Sequence, residues 1–347
     1  MATLAEVYRK FGADDRTSPL YQRIARALSE SADALRAIES TPARKRHPTI
    51  ILAALHDLTL AGRAPELAKA YAGADGEADA AIDCLLRMTD SVVAIAERRR
   101  VRPGETGHGT VLYPAIAEAA HRVGANAIGL IDVGCSAGLN LTVDRAAIAY
   151  SNGQSLGDPS SAVQTSCSIV GDRPLPARPI PEVVIRIGVD PEPIDVTDPD
   201  ETRWLRACLA PDQPDRIARL DAELALAATD PPVLLRGDAV DVLPDALAQV
   251  PADALPVVTT TWALSKLSRE ARLRFLHRLD KAATDRPVAW VSVEGVGVAP
   301  SVPTMGDRPA SGHSILGVAV FRHATLHTEA VGRCWSRGHI LSWLIDS

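Results

Sequence analysis

Apolar residues recur at helical spacing through the first hundred positions of the chain. In LYQRIARALSESADALRAIES, Leu20, Ile24 and Leu28 lie one turn apart, and similar spacing returns in TIILAALHDLTLAG and DAAIDCLLRMTDSVVAIAERR. Pro42 and Pro48 interrupt the pattern, and this half shows none of the apolar–polar alternation that is typical of strands. The sequence therefore predicts an N-terminal helical cap domain over residues 1–103, with roughly four or five helices.

From Ile128 onwards, short and almost continuously apolar segments alternate with amphipathic stretches. This alternation is typical of a parallel sheet covered by helices on both faces. The candidate strands are AIGLIDVG, EVVIRIGVD, PVLLRGD, LPVVTTTW and PVAWVSVEG. Two later runs, SILGVAVFRH and HILSWLI, predict an antiparallel pair at one edge. Residues 104–347 are thus predicted to form an α/β domain.

A Pro-, Ser- and Gly-rich insertion separates the first two predicted strands. It covers residues 152–181 and is too polar to build a core of its own. Irregular segments of this length are often functional covers. We therefore expect the insertion to form a lid over a ligand at the carboxyl edge of the sheet.

Composition and charge narrow the class of protein. The chain has 347 residues, a net charge of −6 with mixed signs, and five scattered cysteines without a CxxC pair. These features favour a reducing compartment and argue against a disulfide framework or a metal site. The basic run ERRRVR closes a helical pattern and resembles a solvated helix end more than a nucleic-acid surface. No apolar run is long enough for a membrane helix. We expect a cytoplasmic protein without nucleic-acid or membrane partners, and the oligomeric state stays open.

The stretch GLIDVGCSAGLNL places a glycine turn directly after the first predicted strand. A P-loop would need GxxxxGK[ST], and a dinucleotide turn would need glycine where Ser136 and Leu139 stand. The spacing therefore excludes both phosphate-binding motifs. What remains is Asp132-x-Gly134-x-Ser136-x-Gly138, an acid followed by a turn that can approach a ligand closely.

This pattern resembles motif I of the class I S-adenosylmethionine-dependent methyltransferases, with Ser136 replacing the usual middle glycine. The resemblance implies a Rossmann-like fold with a mostly parallel seven-stranded sheet and S-adenosylmethionine as the cofactor. The whole chain also resembles an uncharacterised, mostly actinobacterial family with a methyltransferase-like domain, especially in RIGVDPEPIDVTDPDETRWLRACLAPDQPDRIARLDAELALA. That second resemblance implies no substrate.

The resemblance also assigns contacts with the same cofactor to polar residues at the ends of later strands. Asp190 would accept from the ribose hydroxyls, and Asp238 with the backbone of Ala239 would contact the adenine. Each acid is equally well explained as a helix N-cap. The cofactor-binding residues expected from the resemblance are Asp132, Gly134, Ser136, Gly138, Asp190, Asp238, Ala239, Thr261 and Trp262.

Three further side chains are candidates for catalysis: Asn140, His108 and Tyr150. Asn140 follows the turn and could touch the methionine part of the cofactor, although a first-turn helix amide would look the same. His108 lies in a glycine-rich loop and could act as a base, although a surface histidine is the commoner case. Tyr150, like Trp262, could shield a sulfonium by a cation–π contact or simply lie in the core.

The sequence favours an enzyme that transfers a methyl group to a small molecule by in-line displacement at the sulfonium. One alternative is cyclisation of S-adenosylmethionine to azetidine-2-carboxylate and methylthioadenosine, because no separate acceptor site is evident. Another is a module that binds the cofactor without turnover.

Overall fold

The computed structural model describes residues 2–73, 75–102, 106–323 and 325–346. The chain divides into two compact units, Met1–Gly104 with Asp198–Asp221, and Glu105–Thr197 with Ala222–Ser347. The sequence predicted one boundary, between residues 103 and 104, which lies outside the described residues. The structure differs in assigning Asp198–Asp221 to the first unit.

The first unit is helical over the described residues. Its helices are α1(Leu4–Gly12), α2(Pro19–Glu30), α3(Ala32–Glu39), α4(Pro48–Leu60), α5(Pro65–Tyr71), α6(Glu77–Arg87), α7(Thr89–Arg98) and, from the later segment, α9(Pro199–Ala207). Pro19, Pro48 and Pro65 each occupy the first turn of a helix, where the missing N–H costs nothing. Pro48 was predicted to interrupt the helical pattern, and it begins α4 instead.

The second unit contains one large sheet with helices. Its helices are α8(Gly109–Val123), α11(Ala239–Gln249) and α12(Arg269–Ala282), while α10(Pro214–Thr229) includes the boundary at Asp221. The strands are β1(Ala127–Val133), β2(Ala147–Tyr150), β3(Ser155–Gly157), β4(Gln164–Ile169), β5(Glu182–Asp190), β6(Val233–Arg236), β7(Leu255–Thr261), β8(Val288–Gly295), β9(Ser314–Arg322), β10(Thr325–Trp335) and β11(Ile340–Trp343). A 3-10 helix, Leu139–Arg145, follows the glycine turn.

The α/β class is confirmed, but the sheet is larger than predicted. Within the described residues it has eleven strands in the order β3-β2-β4-β11-β10-β9-β8-β7-β1-β5-β6. The block β6-β5-β1-β7-β8 is parallel, whereas β9, β10 and β11 form an antiparallel meander beside β8. The predicted pair formed by β9 and β11 is wrong, because β10 lies between them. A bulge between Ala330 and Gly332 breaks the period-two pattern of β10, which hid this strand in the sequence.

The expectation of an irregular insertion at residues 152–181 also needs correction. Its strands β3 and β4 pair with β2, and β4 also pairs with β11. The Gln154 side chain exchanges two hydrogen bonds with the backbone of Leu175, which is buried. Residues 170–181 are the longest part of the insertion without regular structure. Whether this part covers a ligand stays a prediction.

Two apolar layers position the strand ends of the second unit. One lies under α8 and includes Ile128, Leu130 and Val257, and the other lies under α11 and α12 and includes Ile131 and Val258. Alternating residues of β1 thus face opposite layers, as expected for a strand buried on both faces. No described helix is both long and apolar enough to cross a membrane.

Candidate functional site

The glycine turn after β1 depends on left-handed backbone at three positions. The φ angle is +76° at Gly134, +52° at Ser136 and +70° at Gly138. A Cβ atom on Gly134 would lie 2.9 Å from the Cβ of Ala263, and one on Gly138 would lie 2.9 Å from the Cγ of Pro232. Packing and backbone conformation therefore require these glycines, whereas the sequence argument assigned them to clearance for a ligand.

Four side chains at the ends of β1 and β7 form a hydrogen-bonded chain. Asp132 is buried; its Oδ1 accepts from the Thr259 hydroxyl at 2.6 Å and its Oδ2 accepts from the Asn140 amide at 3.1 Å. Asn140 also shares a hydrogen bond with the His108 side chain. The fold thus brings together three predicted site residues, Asp132, Asn140 and His108.

Burial sets the protonation of the two titratable residues in this hydrogen-bonded chain, Asp132 and His108. It raises the pKa of Asp132 to about 6; the negative charge of Asp190 adds to the rise, and the hydrogen bonds from Thr259 and Asn140 oppose it. The pKa of His108 is lowered to about 4, mainly by burial and in part by the charges of Arg337 and His339, while the hydrogen bond with Asn140 opposes the shift. At neutral pH, Asp132 is mostly ionised and the His108 imidazole is neutral. The site therefore presents an anion beside a neutral proton acceptor.

Trp262 is held beside His108 in a strained conformation. Its φ is +51°, which is rare for a bulky residue, and its indole N–H donates to the Ser314 hydroxyl at 2.8 Å. The Trp262 and His108 ring centroids are 5.0 Å apart, and the Arg337 guanidinium carbon lies 5.4 Å from the Trp262 ring centroid. Arg337 is itself left-handed, with a φ of +55°. Backbone strain often concentrates at functional sites, because neighbouring structure must sustain it.

Asp190 ends β5 and ties that strand to the glycine turn. Its carboxylate accepts from the backbone N–H of Ser136 at 3.0 Å and from that of Glu192 at 2.8 Å. It is therefore not a helix N-cap.

The other predicted residues have separate local roles. The Tyr150 hydroxyl donates to the Thr110 carbonyl at 2.8 Å, and its ring lies in the core under α8. Asp238 is the N-cap of α11 and accepts from the Val240 N–H, so the N-cap explanation is confirmed for this acid. Ala239 is the first residue of that helix. The Thr261 hydroxyl is buried without a hydrogen-bond partner.

A small polar cavity lies next to His108. Thr142, Thr165 and Glu223 are among the residues that line it, and its volume is about 20 Å³. Such a space holds one water molecule and no larger ligand. A ligand of cofactor size therefore does not fit in this cavity.

Sequence reasoning missed three residues around the site: Thr259, Glu294 and Arg337. Glu294 is fully buried at the end of β8, where its Oε1 accepts from the backbone N–H groups of Ala263 at 3.0 Å and Leu264 at 2.9 Å. A charged residue closing the apolar run VAWVSVEG was a visible signal for it. Arg337 had no sequence signal, because only the meander of β9, β10 and β11 brings it near Trp262.

The second unit is an α/β domain. Polar side chains that are joined by hydrogen bonds lie near the carboxyl ends of its parallel strands. The chain belongs to a family described as an uncharacterized protein conserved in bacteria (DUF2332), whose profile matches residues 5–343. A comparison with curated proteins found no match.

Proposed function

We propose that the protein is an S-adenosylmethionine-dependent transferase of the class I methyltransferase type that acts on a small molecule. One observation carries the proposal: Asp132 and its glycine turn lie where the strand order reverses, between β1 and β7. Counted along the chain, the parallel strands have the order 3-2-1-4-5, as in doubly wound sheets. In such sheets, ligands bind outside the carboxyl ends of the strands at this reversal.

The additional strands do not argue against the proposal. The strands β9, β10 and β11, followed by β4, β2 and β3, extend the sheet only on the far side of β8. The reversal between β1 and β7 is therefore the same as in a smaller sheet.

The acidic strand ends fit a ligand that carries an ammonium group and ribose hydroxyls. Asp132 is a buried carboxylate whose pKa is raised to about 6, and a neighbouring cation would stabilise its ionised form. Asp190 is a second carboxylate, at the end of the neighbouring strand β5, and carboxylates are suitable acceptors for ribose hydroxyls. The Gly237 N–H donates to the Asp190 carbonyl at 3.1 Å, which brings Asp238 and Ala239 at the start of α11 close to the end of β5. These residues, with Thr261 and Trp262, would hold the cofactor.

Bound S-adenosylmethionine supplies a carbon activated by its sulfonium. The chain supplies the rest of the chemistry. The neutral His108 imidazole is able to take a proton from an acceptor, and Asn140 orients that ring through their hydrogen bond. The Trp262 face offers a cation–π surface next to His108.

Calorimetry with S-adenosylmethionine, S-adenosylhomocysteine and NAD tests the proposal. We expect the first two to bind and NAD not to bind. Tighter binding of NAD, or no binding of either sulfur compound, would overturn the assignment.

Incubation of the pure protein with S-adenosylmethionine alone distinguishes the possible reactions. A methyltransferase yields S-adenosylhomocysteine only when a small-molecule acceptor is added. Methylthioadenosine formed without an acceptor would identify the cyclase instead. Binding without either product would identify a module without turnover.

A further inference from the structure

Glu294 joins the end of β8 to the segment that carries Trp262. One oxygen, Oε1, accepts from two consecutive backbone N–H groups, those of Ala263 and Leu264. These are the first two residues after Trp262, whose φ of +51° is strained. The carboxylate therefore acts on the backbone of the turn.

The turn formed by Trp262, Ala263 and Leu264 also contacts the glycine turn after β1. Ala263 is the neighbour that a Cβ atom on Gly134 would meet at 2.9 Å. The Trp262 backbone N–H donates to the Val293 carbonyl at 2.9 Å, so β8 holds this turn through two adjacent residues, Val293 and Glu294. A shift of the turn would therefore move the Trp262 ring away from His108.

Burial of the Glu294 carboxyl would lower the stability of the fold without any return if its only role were packing. It is fully buried, and burial raises its pKa to about 7, against the opposing effect of the backbone N–H groups of Leu264, Ala263 and Ser265. Its second oxygen, Oε2, is buried without a hydrogen-bond partner. A buried, incompletely satisfied carboxyl destabilises a fold, and residues of this kind are commonly retained for function.

We infer that Glu294 is a positioning residue that holds the Trp262–Ala263–Leu264 turn in its strained form and so fixes the Trp262 ring against His108. The inference extends the proposed function, because it assigns the orientation of one wall of the proposed site to a residue that no ligand touches. Its structural part does not depend on which ligand binds.

Fluorine NMR of protein labelled with 5-fluorotryptophan tests the positioning directly. The chain has five tryptophans, and Trp262→Phe assigns the resonance of interest. Glu294→Gln keeps an oxygen for both N–H groups and should leave the Trp262 resonance in place. Glu294→Leu fills the space without an acceptor, and we expect the Trp262 resonance to shift or broaden while the other four stay unchanged.

Ser292→Ala is the matched control. Ser292 lies two residues earlier on the same face of β8, and its hydroxyl is likewise buried without a partner, but it makes no hydrogen bond to the turn. This variant should leave all five resonances unchanged. An unmoved Trp262 resonance in Glu294→Leu, or an equal disturbance of all five, would overturn the inference.

Affinity for S-adenosylhomocysteine gives the functional readout. We expect Glu294→Leu to weaken binding by about tenfold, because a small displacement of a site wall is costly, and Glu294→Gln to bind as the wild type does. If the wild type does not bind this ligand, the proposed function fails, and the fluorine resonance still decides the role of Glu294. Unchanged affinity in Glu294→Leu with a wild type that binds would contradict the inference.

Discussion

Asp132 combines burial with two hydrogen bonds to neutral partners, Thr259 and Asn140. Neither partner supplies positive charge, so burial dominates and the pKa of this carboxyl rises to about 6. A cationic ligand beside Asp132 would lower this pKa again. The residue is therefore a sensitive reporter of whether the proposed ligand binds here.

Affinity for S-adenosylmethionine should depend on pH through Asp132. A bound ammonium group lowers the pKa of Asp132 below its free value of about 6, so binding should be constant well above pH 6 and weaken as the pH falls through it. Calorimetry between pH 5 and about pH 8 measures this effect.

Asp132→Asn should bind more weakly by about 1–3 kcal/mol at neutral pH, and its affinity should lose that pH dependence. Asp195→Asn is the control, because Asp195 is an exposed loop residue whose carboxylate bonds Thr197 alone among the residues that the structure describes. An unchanged pH profile in Asp132→Asn would place the ligand elsewhere.

Glu294 makes a separate prediction for stability. Its pKa is raised from 4.5 to about 7, so the folded protein binds this proton more tightly than the unfolded chain. Its contribution to stability is therefore largest below about pH 4.5, falls by about 3 kcal/mol as the pH rises to 7, and is constant above that. Urea unfolding should show Glu294→Gln gaining more stability over the wild type at high pH than at low pH. Equal gains at both would rule out the raised pKa.

At the scale of elements, the 3-10 helix Leu139–Arg145 is anchored by an ion pair beneath it. The buried Arg186 of β5 binds both oxygens of Asp144, each at 2.8 Å, and also donates to the Leu141 carbonyl. This helix carries Asn140. The position of Asn140 relative to Asp132 therefore depends on a salt bridge that does not touch the site.

Breaking this anchor should cost stability. Asp144→Asn leaves the buried Arg186 with only the longer contact to Asp230, at 3.4 Å, as a carboxylate partner among the described residues, and we expect a loss of about 3 kcal/mol in urea unfolding. The control is Asp33→Asn, which breaks the exposed pair between Arg36 and Asp33 and should have no measurable effect. Similar losses of stability in the two variants would show that the pair between Arg186 and Asp144 contributes no more than an exposed ion pair.

The longest irregular part of the insertion, residues 170–181, gives a second prediction at this scale. Residues 170–174 are exposed and lie outside any strand. If this part covers the ligand, cleavage by subtilisin within 170–174 should be suppressed by S-adenosylhomocysteine. Cleavage within β4, which pairs on both sides, should be slow with or without the ligand. Equal rates of cleavage with and without the ligand would show that these residues lie at the surface of the sheet edge and do not cover the ligand.

At the scale of the whole molecule, the first unit is built from two separate stretches of chain. Its contacts include the Leu20 N–H with Asp212, His56 with the Leu209 carbonyl, and Arg203 with Asp57. The fully buried Trp204 also belongs to its core. The first hundred residues therefore lack part of their own hydrophobic core.

A fragment of residues 2–102 should consequently fold poorly. The same fragment with residues 198–221 attached by a flexible linker should unfold cooperatively on heating, monitored by circular dichroism. Trp204→Ala in the linked form is the control and should lose about 3–5 kcal/mol. A cooperative transition in the short fragment alone would contradict the two-part core.

The sequence by itself determined the elements whose patterns are local. Helical spacing up to Arg98, the parallel strands β1, β5, β6, β7 and β8, and the acid-and-glycine turn at Asp132 could all be predicted, because each reflects burial of a nearby face. The contact of Asn140 with Asp132 was also within reach, since only eight positions separate them.

The tertiary structure alone decided the rest, because it depends on contacts between distant segments. The strands β3 and β4 form in the polar insertion because neighbouring strands supply their hydrogen bonds. Trp204 joins a core built mostly by residues more than a hundred positions away. The meander beside β8 brings Arg337 near Trp262, whose ring contacts that of His108. No local pattern in the sequence encodes this arrangement.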